Sequence, residues 1–92
     1  MQENFQKIRQ LLSNGSLSHT TLADETGVLL DINGGKVMTL NTTGEFLLQS
    51  IVDGSETIEQ LASLITQKHQ IDLDTATSDS REFVSKLFEL IT

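Results

Sequence analysis

Between Gly27 and Ile65 the chain reads GVLLDINGGKVMTLNTTGEFLLQSIVDGSETIEQLASLI. Few folds accommodate that order. Val28, Leu30 and Ile32 alternate with Leu29, Asp31 and Asn33, which gives a strand with one apolar and one mixed face. Asn33-Gly34-Gly35 follows, the composition of a type I′ hairpin, whose turn needs positive φ at successive positions. Lys36 to Leu40 then returns antiparallel, with Met38 and Leu40 on one face and Val37 and Thr39 on the other. Directly after Leu40-Asn41 the period changes from two to about 3.6, so the last strand of a small sheet feeds a helical layer.

The helices announce themselves by their ends. Thr42-x-x-Glu45 has the form of a capping box, opening a helix whose apolar stripe is Leu47, Leu48, Ile51 and Val52 and which stops at Asp53-Gly54. Thr57-x-x-Gln60 opens a second, with Ile58, Leu61, Ala62 and Ile65 inward. The stretch from Gln70 to Ser78 is polar and turn-like, and Asp72 and Asp74 read as part of a solvated connection. Asp79-x-x-Glu82 then caps a last helix with a broad apolar band of Phe83, Val84, Leu87, Phe88 and Ile91. Upstream, residues 3–12 place Phe5, Ile8, Leu11 and Leu12 at helical spacing before an Asn14-Gly15 stop, and the threonines of residues 16–23 favour a first strand. The expected fold class is α+β: a winged-helix-like, three-stranded antiparallel sheet followed by three helices, with an extra N-terminal helix. Residues 1–15 form that extension and residues 16–92 the domain proper.

Composition excludes more than it indicates. Six Lys and Arg against thirteen Asp and Glu leave a net charge of −7, the wrong balance for gathering phosphates, so nucleic acid is not an expected partner. A DNA-reading winged helix needs basic and amide side chains on its recognition helix. Here Arg81 and Lys86 stand against Glu82 and Glu89. No apolar run is long enough for a membrane span and none resembles a secretion signal, so the expected location is the cytoplasm. The chain has no cysteine, hence no disulfide or thiolate chemistry.

No residue set suggests catalysis. His19 and His69 lie in different elements without companion ligands, and read as structural or surface residues rather than a metal site. Gly34-Gly35 lacks the Lys and Ser/Thr of a phosphate loop, and no serine sits in a nucleophile elbow. Asp79-Ser80 resembles the attachment site of an acyl carrier protein, yet Arg81 follows where an apolar residue belongs and few residues remain afterwards. Catalytic, metal and cofactor sites are all expected to be absent. What remains is an edge. The Lys36–Leu40 strand has a neighbour on one side only, and an open edge beside an apolar helix groove suits strand addition by a peptide. An orphan structural or regulatory domain with that edge covered, by the N-terminal helix or a second copy, is the alternative.

Several segments together resemble the PqqD-like family, the precursor-peptide recognition elements of ribosomal peptide biosynthesis. They are Val28-Leu29-Leu30-Asp31, Val37-Met38-Thr39-Leu40-Asn41-Thr42-Thr43-Gly44, Asp53-Gly54-Ser55-Glu56-Thr57-Ile58, and the helix around Phe83-Val84-x-x-Leu87. The resemblance implies an adaptor without enzymatic activity that binds the leader segment of a precursor peptide and presents it to a modifying enzyme or leader peptidase, as in lasso-peptide systems. It also implies a site: Lys36, Val37, Met38, Thr39 and Leu40 on the strand, with Asp79, Ser80, Phe83, Val84, Lys86 and Leu87 on the last helix. Many relatives carry an aromatic where this chain has Met38, which bears on the shape of the groove.

Overall fold

A computed structural model describes residues 5–91. The elements run α1 (Phe5–Ser13), β1 (Leu17–Thr21), β2 (Gly27–Asp31), β3 (Lys36–Leu40), α2 (Thr42–Val52), α3 (Ile58–His69) and α4 (Leu73–Leu90). The α+β expectation holds, three antiparallel strands and then three helices with one helix in front. Residues 3 and 4 of the expected first helix lie outside the described residues, as does Thr92.

The sheet is a meander in the order β1-β2-β3. Its pairing sets His19 opposite Leu29 and Leu29 opposite Met38, so these three side chains share the face that meets the helices. Leu29 and Leu17 are buried there. The more apolar set of β2 points the other way. Val28 and Leu30 are only half-buried on the outer face, where Val37 is 60% exposed, and beyond the strand end Ile32 is 51% exposed. Inward burial therefore follows the strand's mixed face, because the helical layer supplies most of the core from its own side.

The β2–β3 connection differs from the two-residue turn expected of Asn-Gly-Gly. Residues 32–35 form a four-residue loop closed by a bond from Gly35 N–H to the Asp31 carbonyl (2.8 Å). Gly35 alone of the two glycines has positive φ, at 70°. One left-handed glycine ending a longer turn reverses the chain as well as two in a tight one.

Two helix starts also differ. Asn41, rather than Thr42, caps α2: its side chain accepts from Gly44 N–H at 2.8 Å. Glu45 is thereby released from any capping role. Thr57 caps α3 as expected, accepting from Gln60 N–H. The last helix begins at Leu73, not near Asp79. Asp72 is its N-cap, Asp74 lies in its first turn and Asp79 is well inside it. The polar stretch hid this helix because its inward positions are small: Ala76 and Ser80 are fully buried, and Ser80 Oγ satisfies itself on the Ala76 carbonyl at 2.8 Å. Helix α4 packs chiefly against α3.

Helix α1 is part of the same core. Phe5 and Ile8 are both fully buried, and the helix lies against α2 and β1. Arg9 fastens it, donating to the Ile51 carbonyl at the end of α2 (2.9 Å) and to the Ser55 carbonyl (3.3 Å), with Glu56 as its ion-pair partner (2.6 Å). The Ile51 carbonyl also accepts from Gly54 N–H (3.1 Å), so the guanidinium adds a charged donor from another element to the C-terminal end of α2. Among the described residues no helix is long and apolar enough to cross a membrane.

Candidate functional site

The free edge of β3 can be located from the ladder beside it. Just past the ends of the β1–β2 pairing, Ile32 N–H donates to Ser16 O (3.0 Å) and Leu22 N–H to Thr26 O (2.8 Å). Bonded and non-bonded pairs alternate in an antiparallel ladder. Val28 and Leu30 therefore direct their backbone groups to β1, while Gly27, Leu29 and Asp31 direct theirs to Leu40, Met38 and Lys36 of β3. Val37 and Thr39 are left with N–H and C=O pointing out of the sheet.

Along that edge runs a groove of about 370 Å³ between β3, the first turn of α2 and α4. Met38, Thr39 and Leu40 form its strand wall, and Asp79, Glu82, Phe83 and Lys86 its α4 wall. The floor is apolar: Leu40, Leu47 and Phe83 are nearly or fully buried. Gly44 lies beside that floor, where a Cβ would touch Phe83 Cε1 at 3.5 Å and crowd Asn41 Oδ1 at 3.3 Å.

The eleven residues anticipated from the sequence fall into three groups. Met38, Thr39, Leu40, Asp79, Phe83 and Lys86 meet around the groove. Lys36 reaches across its far end, Nζ donating to the Glu89 carbonyl at 3.1 Å, while Val37 turns its side chain to the outer face and offers the site only its backbone. Ser80, Val84 and Leu87 are core residues, each at most 2% exposed, and support the helix rather than line the groove. Asn41, Thr43, Gly44, Leu47 and Glu82 line it without having been anticipated. For Glu82 the signal was available, because it stands three residues after Asp79 on one helix face.

Behind the groove a polar cluster ties the sheet to α2. Glu45 is buried and accepts from Thr21 Oγ1 (2.5 Å), while its other oxygen lies 2.7 Å from His19 Nε2. Burial raises the Glu45 pKa, but the bonds from Thr21, His19 and Gln49 and the charge of His19 outweigh it, so the carboxyl titrates below its usual range. His69 sits edge-on to Phe46, with Lys68 over the same ring.

The family model described as "Coenzyme PQQ synthesis protein D (PqqD)" matches residues 26–90, which span β2 through α4 and leave α1 and β1 outside. A solved structure described as "Lasso peptide synthetase B1 complexed with the leader peptide" is similar at a TM-score of 0.70 and 26% identity, over 80% of this chain and 85% of that one. A second, "TbiB1 in Complex with the TbiA(beta) Leader Peptide", is similar at 0.72 and 22% identity, over 80% and 84%. No curated protein matches the chain.

Proposed function

The chain belongs to the PqqD family, and from that premise we propose that it is a leader-binding adaptor: it takes up the leader segment of a ribosomally made precursor peptide as a fourth strand on β3 and offers it to a modifying enzyme or leader peptidase. The observation that carries the reading is the open edge at Val37 and Thr39 beside an apolar-floored groove. Backbone bonds to that edge supply affinity with little sequence preference, and the groove supplies choice. The two solved relatives, both described with a leader peptide bound, support the same reading. A partner enzyme is part of the proposal because strand addition holds the leader and leaves the rest of the precursor free for another protein to act on.

The competing picture, an orphan domain with a covered edge, loses its first candidate cover. Helix α1 packs against α2 and β1, on the side of the sheet away from β3. The test is calorimetric titration with the leader of a precursor peptide encoded beside this chain. Saturable one-to-one binding is expected; a folded protein that binds neither this leader nor a panel of related ones contradicts the proposal.

A further inference from the structure

We infer that the peptide taken up by this groove carries a lysine or arginine at the end beside Asn41, two residues from the apolar side chain that rests against Phe83. The inference rests on the strand-addition reading and deepens it to a preference in the bound sequence.

Helix α4 runs antiparallel to β3. At the start of the strand Lys36 reaches Glu89 near the end of the helix. Past the other end of the strand Phe83 lies against Gly44. Asp79, one turn before Phe83, thus stands on the groove wall at the Leu40–Asn41 end. Lys86 lies toward the opposite end, seven residues or about 10.5 Å along the helix axis.

The cations beside the groove stand at one end only. Lys36 Nζ donates to the Glu89 carbonyl at 3.1 Å, and Glu82 holds Lys86 at 3.1 Å. Asp79 has neither an ion pair nor a side-chain hydrogen bond among the described residues, and it is exposed. Arg81, two residues on, projects from another side of the helix. The chain's net charge of −7 adds to the field at this carboxylate.

Strand geometry converts this into a position. A peptide residue opposite Met38 shares its face and points at α4 and Phe83. The next residues on that face stand two positions away, about 7 Å in either direction. The one on the Leu40 side comes to Asp79. Lysine or arginine there has the reach to pair with the carboxylate, whereas aspartate or glutamate is repelled. A rim pair of this kind is modest, about two- to fivefold in affinity, so it selects among peptides more than it holds them.

The test is a displayed library of random peptides about twelve residues long, sufficient to span β3 and both flanks. It is selected in parallel on the full chain and on Asp79→Lys, and the winners are measured by fluorescence anisotropy at low and high salt. Wild type is expected to enrich Lys or Arg two residues to the Asn41 side of the apolar anchor, and Asp79→Lys to enrich Asp or Glu there. Exchanging winners between the proteins should cost about fivefold at low salt and much less at high salt. Winners that bind the β3 edge with the same charge preference on both proteins overturn this inference alone. Failure to select any peptide that engages Val37 and Thr39 overturns the strand-addition reading as well.

Discussion

Glu45 on α2 and His19 on β1 meet 2.7 Å apart behind the sheet, and the backbone between them is a glycine. Gly27 pairs with Thr21 and Leu40 in the middle strand, so the carboxylate lies over the one position of β2 that has no side chain to displace it. The contact fixes the angle at which α2 leaves the sheet, and with it the position of the α2 turn that floors the groove.

Glu45→Ala should therefore destabilise the fold by about 1–3 kcal/mol, since it leaves Thr21 and His19 without their buried partner. The same pair makes stability depend on pH. The Glu45 carboxyl titrates lower in the folded chain than its ordinary value of 4.5, so its contribution is complete above that pH and is lost as the pH falls through the folded value. Thermal melts at neutral pH and near pH 3 check both points: wild type should lose stability on acidification, and Glu45→Gln should lose less of it.

Gly27→Ala should cost as much without removing any charged residue. A Cβ at this position would run into Glu45 Oε1 and come within 3.0 Å of the Thr20 carbonyl. A melting temperature lowered by several degrees is expected, with weakened pH dependence because the carboxylate is displaced.

Arg9→Ala separates scaffold from site. Removing the guanidinium exposes the end of α2 and frees α1, a loss of about 1–2 kcal/mol. Because α1 packs on β1, at the opposite edge of the sheet from β3, the leader affinity of the folded variant should stay within about twofold of wild type.

Val37→Pro should abolish leader binding while the domain stays folded. Proline removes an N–H that points out of the sheet and has no partner in the free protein, and an edge strand tolerates it. Met38→Pro should instead break a bond to Leu29 and unfold the hairpin. Leu87→Asp is a poor probe of the groove: Leu87 is fully buried, and the variant is expected to unfold. Circular dichroism beside calorimetry distinguishes the three.

Much of the fold was legible because it is written in periods and ends. The alternation around Asn33-Gly34-Gly35 gave the hairpin, and Thr57-x-x-Gln60 gave the start of α3. Helix α4 was half-missed because a buried serine and alanine leave no apolar stripe to read. Glu45 was misassigned to a capping box: the sequence cannot tell a carboxylate that folds back on its own helix from one that reaches a histidine 26 residues earlier. The open edge was legible as a strand with one neighbour. Which of its residues face outward was not, because that depends on ladder register. The α4 wall was legible as a helix face, but periodicity does not separate Ser80, Val84 and Leu87, which are buried, from the neighbours that line the groove.

The central claim, strand addition at β3, is tested most directly by amide hydrogen exchange of the free and leader-bound protein, read by two-dimensional NMR. Lys36, Met38 and Leu40 already face β2 and should be protected in both states. Val37 and Thr39 should exchange rapidly in the free protein and become protected when the leader binds. A bound leader that leaves Val37 and Thr39 as fast as before would contradict the account, whatever its affinity.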